Sequence, residues 1–258
     1  MQYGLLIVEG QHDAAVIAKL LSDFNLKTIQ NEKKLASYWR PLYANLKFPQ
    51  KDGDLLKRLD VPIFVGNNTY SVAIRTADSD TKIASALEAT LSGLGSKQDQ
   101  LQAIGIVCDA DQQTASARMS KLCAALAGRN LTFAASTPGV VHAGPPRTGI
   151  MVFPDNLGPG TLETLLEDCA ATHYPQLQVL ARNYMTDGAG HLDESERRNL
   201  EKGANRQKAT IAVIGALLQP GASIAVTLRQ DRWLTGSALA QPRIAALRTF
   251  LKDLLDLP

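Results

Sequence analysis

Two short stretches place carboxylates where a carboxylate is expensive. Residues 5–13 read LLIVEGQHD and residues 104–111 read IGIVCDAD. In each, an apolar run gives way at once to acidic residues: Glu9 and Asp13 after the first, Asp109 and Asp111 after the second. A short, continuous apolar run fits a strand buried on both faces, and a carboxylate at its end faces desolvation. Taken singly, each acid has a structural explanation. Glu9 can salt-bridge a neighbour, Asp13 can lie on an exposed helix face, and Asp109 or Asp111 can cap a helix starting near Gln112. Taken together on neighbouring strands, they converge in one crevice, where like charges raise one another's pKa. A divalent cation relieves that repulsion. Oxygen-only ligands favour Mg²⁺ or Mn²⁺, and Mg²⁺ keeps several waters and borrows further oxygens from a phosphate substrate.

The elements that must position these residues alternate. A strand over residues 3–8 leads into a helix over 12–23, with Val16, Ile17, Leu20 and Leu21 at helical spacing. Residues 32–47 read as helical and rich in aromatics, and VPIFVG and YSVAIR as a hairpin turning at Asn67-Asn68-Thr69, where asparagine tolerates positive φ. A helix over 81–92, the strand AIGIVCD and a helix from Ala115 to Leu126 follow. A third strand is expected near 131–136, then a Gly/Pro-rich loop, TPGVVHAGPPRTG, and the strand IMVFP. Pro159 and Gly160 mark the start of the next helix, and the last third is mostly helical, most clearly over 205–218 and 242–256. The pattern predicts an α/β fold with a parallel sheet flanked by helices, whose ligands bind at the C-terminal ends of the strands. The expected division is a core over 1–171 with an insertion at about 28–100, and a helical extension over 172–258 packed on it.

Composition narrows the functional classes. The chain has 258 residues, 45% hydrophobic and 20% charged, with a net charge of +2. This is an ordinary globular balance, so any nucleic-acid surface must be a local patch. Cys108, Cys123 and Cys169 have no metal-site spacing and read as free thiols in a reducing cytoplasm. No apolar run reaches the roughly 18–20 residues of a membrane span, and no GxxxxGK phosphate loop is present.

A strand ending in VEGQHD and a later one ending in DAD resemble the Toprim domain, shared by topoisomerases, bacterial primases, small nucleases and the overcoming-lysogenisation-defect nucleases. Its pattern is Glu-Gly at one strand end and Asp-x-Asp at another, matched here by Glu9-Gly10, Asp109 and Asp111. PDNLGPGTLETLLED resembles the nuclease-type segment in which a glutamate helps hold a second metal, and Glu163 matches it. NRQKATIAVIGALL resembles the following helix with its lysine, and Lys208 matches. The chain is similar along most of its length to a family of small bacterial Toprim-like proteins. The resemblance implies a Rossmannoid fold and metal-assisted phosphodiester hydrolysis by one or two ions. Glu9 and Asp109, with Asp111 as a further ligand, would hold an ion that activates water. Asp111 and Glu163, with Asp13 as a further ligand, would hold one that stabilises the leaving oxygen. Lys208 would neutralise the phosphate. DNA in preference to RNA is the implied substrate, and the kinship with phage-defence nucleases implies a partner ATPase.

Weaker candidates complete the set. Arg147, in the Gly/Pro-rich loop, is a candidate phosphate ligand. Arg206, with Arg197, Arg198 and Lys202, is a candidate for tracking a nucleic-acid backbone; Glu194, Glu196 and Glu201 among them favour a solvated face instead. His12 is close enough to join the site, and Trp39 and Trp233 read as core anchors. The competing function is a non-catalytic Toprim-fold regulatory or scaffold subunit binding nucleotide or nucleic acid. A homo-oligomer is compatible with either.

Overall fold

A computed structural model describes residues 1–44, 46 and 61–258. Among these, seven strands form one sheet: β1 (Gln2–Val8), β2 (Lys27–Thr28), β3 (Ile63–Gly66), β4 (Tyr70–Thr76), β5 (Leu101–Asp109), β6 (Val141–His142) and β7 (Arg147–Phe153), in the order β2-β3-β4-β1-β5-β7-β6. The four central strands run parallel, and β2, β3 and β6 pair antiparallel at the margins. This is the mixed α/β architecture expected.

Alternation along β1 shows why its run is apolar throughout. Leu5 and Ile7 enter one core layer and Leu6 and Val8 the other, all fully buried. On the first face lie α2 (Ile83–Leu94), α3 (Ala115–Ala127) and the aromatics Tyr38, Trp39 and Phe64. On the other lie α1 (Gln11–Ser22), α4 (Leu162–His173) and α9 (Pro242–Leu255). Between the last two come α5 (Pro175–Ala189), α6 (Glu194–Leu200), α7 (Asn205–Leu218) and α8 (Ile224–Leu228). Residues 172–258 are therefore mostly helical, and Trp233, Leu251 and Leu254 share a core with Leu6 and Val8. No helix among the described residues is long and apolar enough to cross a membrane.

Several local expectations change. Residues 131–135 form no strand, because the outer edge of β7 is taken by Val141–His142, which pair with Gly149 and Thr148. Part of the 28–100 segment belongs to the sheet itself, since β4 pairs with β1 along its whole length. Ser37–Leu42 is a 3₁₀ helix with Pro41 inside it, not an α-helix; proline lacks the N–H that an α-helix needs. Its Trp39 is wholly buried and donates to Ser71 Oγ at 2.9 Å. Residues 45 and 47 of the expected 32–47 helix, and 47–60 of the insertion, lie outside the described residues. The hairpin forms, but Asn67 shapes the turn through its side chain, accepting from the amides of Thr69 and Tyr70 at 2.8 and 2.9 Å.

Candidate active site

β1, β4 and β5 end side by side, and the loops leaving them enclose an open cleft of about 280 Å³. Glu9, His12, Asp13, Asp78, Ser79, Asp109, Glu163 and Lys208 line it. Four of the five expected carboxylates thus meet in one place, with Lys208 beside them.

Each is held by a definite piece of backbone. Asp13 lies in the first turn of α1, 6% exposed, and its Oδ2 accepts from the Gly10 amide at 2.7 Å. Its Oδ1 is buried without a hydrogen-bond partner. Asp109 closes β5 and its Oδ1 accepts from the Leu162 amide at 2.8 Å, at the start of α4. Glu163 follows in the first turn of α4, 4% exposed, with Oε2 buried and unpartnered. Glu9 Oε2 accepts from the Asp109 amide at 3.3 Å and stands 3.7 Å from the Arg118 guanidinium. Covalent geometry keeps an aspartate's oxygens within about 5 Å of its own amide, so the Glu9 and Asp109 carboxylates lie within about 9 Å of each other.

The electrostatics follow from this crowding. Burial, with Glu9 and Glu163 nearby, pushes the Asp13 carboxyl up to about 7 against the hydrogen bond from Gly10. Asp109 is raised well above the usual carboxylate range by burial and then by Asp13, Glu9 and Glu163. Glu9 is raised by burial, with the Asp109 amide and Arg118 opposing. His12 is lowered by burial and by Lys208, against Glu163.

Asp111 takes a different place. It is exposed, adopts φ +54°, and forms a backbone bridge with Gly160, exchanging hydrogen bonds of 2.9 and 2.8 Å. Its side chain is not part of the cleft wall, although its charge reaches Glu9. Gly160, at φ +141°, permits this bridge; a Cβ there would sit 3.0 Å from the Pro154 ring. The expected cap of α3 is neither Asp109 nor Asp111 but Thr114, whose hydroxyl accepts from the Ala117 amide.

Two basic candidates lie elsewhere. Arg147 opens β7 at the end opposite the cleft, paired with Asp256 at 2.9 Å. Six strand steps put it about 20 Å from the strand's far end, so it does not reach a phosphate in the cleft. Arg206 pairs with Glu201 and donates to Thr186 Oγ1 at 2.8 Å, outside the cleft wall.

Sequence reasoning missed Asp78 and Ser79, which follow the end of β4 as Asp109 closes β5, and buried Arg118. Both had a signal: YSVAIRT is an apolar strand running into ADSD, and Arg118 shares a helical face with Ala115, Leu122 and Leu126.

The donor set suits a hard cation: acceptor-only oxygens, two of them buried with no partner. Among the described residues, however, no three Asp, Glu, His or Cys side chains already stand in a group that would hold a metal ion.

Among comparisons with known proteins, one solved structure supports the fold, and none speaks to chemistry. A family profile described as "Protein of unknown function (DUF3226)" matches residues 3–256. No curated protein matches the chain. A crystal structure of a hypothetical protein from Pyrococcus horikoshii OT3 is similar, with a TM-score of 0.55 and 14% identity over 98% of this chain and 95% of that one.

Proposed function

The chain belongs to DUF3226, a family of unknown function, and from its cleft we propose that it is a Toprim-type, Mg²⁺-dependent phosphodiesterase acting on nucleic acid, DNA in preference to RNA. The observation that carries this reading is the pair of buried, unpartnered oxygens, Asp13 Oδ1 and Glu163 Oε2, in a cleft shared with Glu9, Asp109 and Lys208. An unmet buried acceptor is costly, and a cation is a natural partner for two of them. Asp13, Asp109 and Glu163 would hold it, with Glu9 beside them. A Mg²⁺ ion bound there would supply a water of lowered pKa and charge stabilisation for a leaving oxygen. Glu9 orients the attacking water and accepts its proton. Lys208, at the mouth of the same cleft, offsets charge on the phosphate. A separate ATPase partner and a place in phage defence rest on the sequence resemblance, and cytoplasmic location rests on the free thiols.

The test is cleavage of end-labelled single- and double-stranded oligonucleotides in Mg²⁺, Mn²⁺ and EDTA. Metal-dependent cutting should vanish in Glu163→Gln, and Lys208→Ala should lower the rate by about 10²–10³-fold if it acts like one oxyanion donor. Equal activity in EDTA, or full activity in Glu163→Gln, refutes the reading.

One observation favours a second reading. Asp13 and Asp109 each already spend an oxygen on a helix start, and no ready-made ligand group is present among the described residues. A regulatory or scaffold subunit that binds nucleotide or nucleic acid without cutting would need nothing more. Tight oligonucleotide binding with no metal-dependent product supports that alternative.

A further inference from the structure

Arg118 is 2% exposed. A guanidinium so placed needs compensating charge, and it has two sources. Its Nη1 is 3.1 Å from Asp80 Oδ2, and its Nη2 is 3.7 Å from Glu9 Oε2. It also meets the Cys108 thiol, one residue before Asp109. The same Glu9 oxygen accepts the Asp109 amide at 3.3 Å. One amide donor from β5 and one guanidinium charge from α3 therefore meet at one oxygen of a residue that lines the cleft. Asp80 follows Asp78 and Ser79, which form part of the cleft wall. A single guanidinium thus joins the loop after β4 to the end of β1.

We propose that Arg118 is a positioning residue: it fixes the Glu9 carboxylate at the cleft and ties the Asp78–Asp80 rim to it. The Nε and Nη2 atoms make no hydrogen bond, so Glu9 is held by charge at 3.7 Å and not by a closed fork. That hold keeps the carboxylate aimed while leaving it able to act. The consequence for turnover rests on the phosphodiesterase reading; the coupling to Glu9 does not.

Two double-mutant cycles on the full chain test this. The first uses metal-free thermal unfolding of wild type, Arg118→Met, Glu9→Gln and the double variant. Arg118→Met strands two carboxylates and lowers Tm, and adding Glu9→Gln restores part of the loss. The single losses should exceed the double loss by at least about 2 °C. Strictly additive losses overturn the proposal. Should Arg118→Met fail to fold, Arg118→Gln takes its place in the cycle, because it too removes the charge that holds Glu9. The second cycle reads turnover of an oligonucleotide in Mg²⁺. Arg118→Met should lower kcat by about 10–100-fold, the usual effect of losing an outer-shell partner, with KM changed less than about threefold. Arg118→Lys should recover most of it, and in the Glu9→Gln background Arg118→Met should cost nothing further. A loss confined to KM, or equal in both backgrounds, overturns the proposal. A wild type that cuts nothing refutes the phosphodiesterase reading and leaves the unfolding cycle to decide Arg118.

Discussion

The two ends of the sheet handle polar groups in opposite ways. At the N-terminal ends of the parallel strands, groups are met. Arg147 pairs with Asp256 at 2.9 Å, the Tyr70 hydroxyl donates to the Asp256 carbonyl at 2.8 Å, and the Tyr3 amide reaches Gln102 at 2.5 Å. The helix α9 lies close across that end. A Cβ on Gly4 would come 2.5 Å from a Leu255 methyl, and one on Gly149 would come 2.8 Å from the Phe250 ring. At the C-terminal ends, five carboxylates share a cleft, and two of their buried oxygens have no partner. The groups named at one end are paired while carboxylate oxygens at the other are not, and unmet buried groups of this kind concentrate where a molecule works.

The contrast can be broken most forcefully at Asp13. Its carboxyl is held up to about 7, chiefly by burial, so the folded state favours the protonated form. Metal-free protein therefore keeps the full benefit below the unfolded pKa near 4 and loses it as pH rises through about 7. Asp13→Asn, which keeps an acceptor for the Gly10 amide, should flatten that fall and stabilise the EDTA-treated protein at pH 8 by up to about 4 kcal/mol. Urea unfolding between pH 4 and 8 reads it. A variant less stable than wild type at pH 8 would mean that Asp13 is a structural cap and not a strained ligand.

The smallest effect is expected at the closed end. Arg147→Ala breaks an ion pair whose side chains are 32% and 59% exposed. Such pairs contribute about 0–1 kcal/mol, so thermal melts should move little and any Mg²⁺-dependent rate should be unchanged. A large loss of activity would return Arg147 to the site and erase the distinction between the ends.

What was legible in the sequence tracks what local pattern controls. The strands β1 and β5 and the helices α1 and α9 announce themselves, because burial on two faces or one stripe writes a period into the residues. The acids at the strand ends were legible for the same reason. Asp78 was not, because the strand before it was set aside within an insertion, although it pairs with β1 over seven positions from Gln2 to Val8. Arg147 was misplaced because a Gly/Pro-rich loop gives no sign of where the next ladder begins; pairing of Ala103 with Arg147 sets that start. Arg118 went unread because a charged residue on an apolar face breaks the pattern used to find that face. Its partners, Glu9 and Asp80, lie 109 and 38 residues away in the chain, and only the fold brings them together.

The central claim is that the open end of the sheet is a cation site. Anomalous diffraction from a crystal soaked in millimolar Mn²⁺ tests it most directly. The account predicts a peak within the cleft, at a Mn²⁺–oxygen distance of about 2.0–2.3 Å from a carboxylate oxygen of Asp13 or Glu163. A cleft without a peak, or an ion bound only at surface acids away from these two residues, would contradict it.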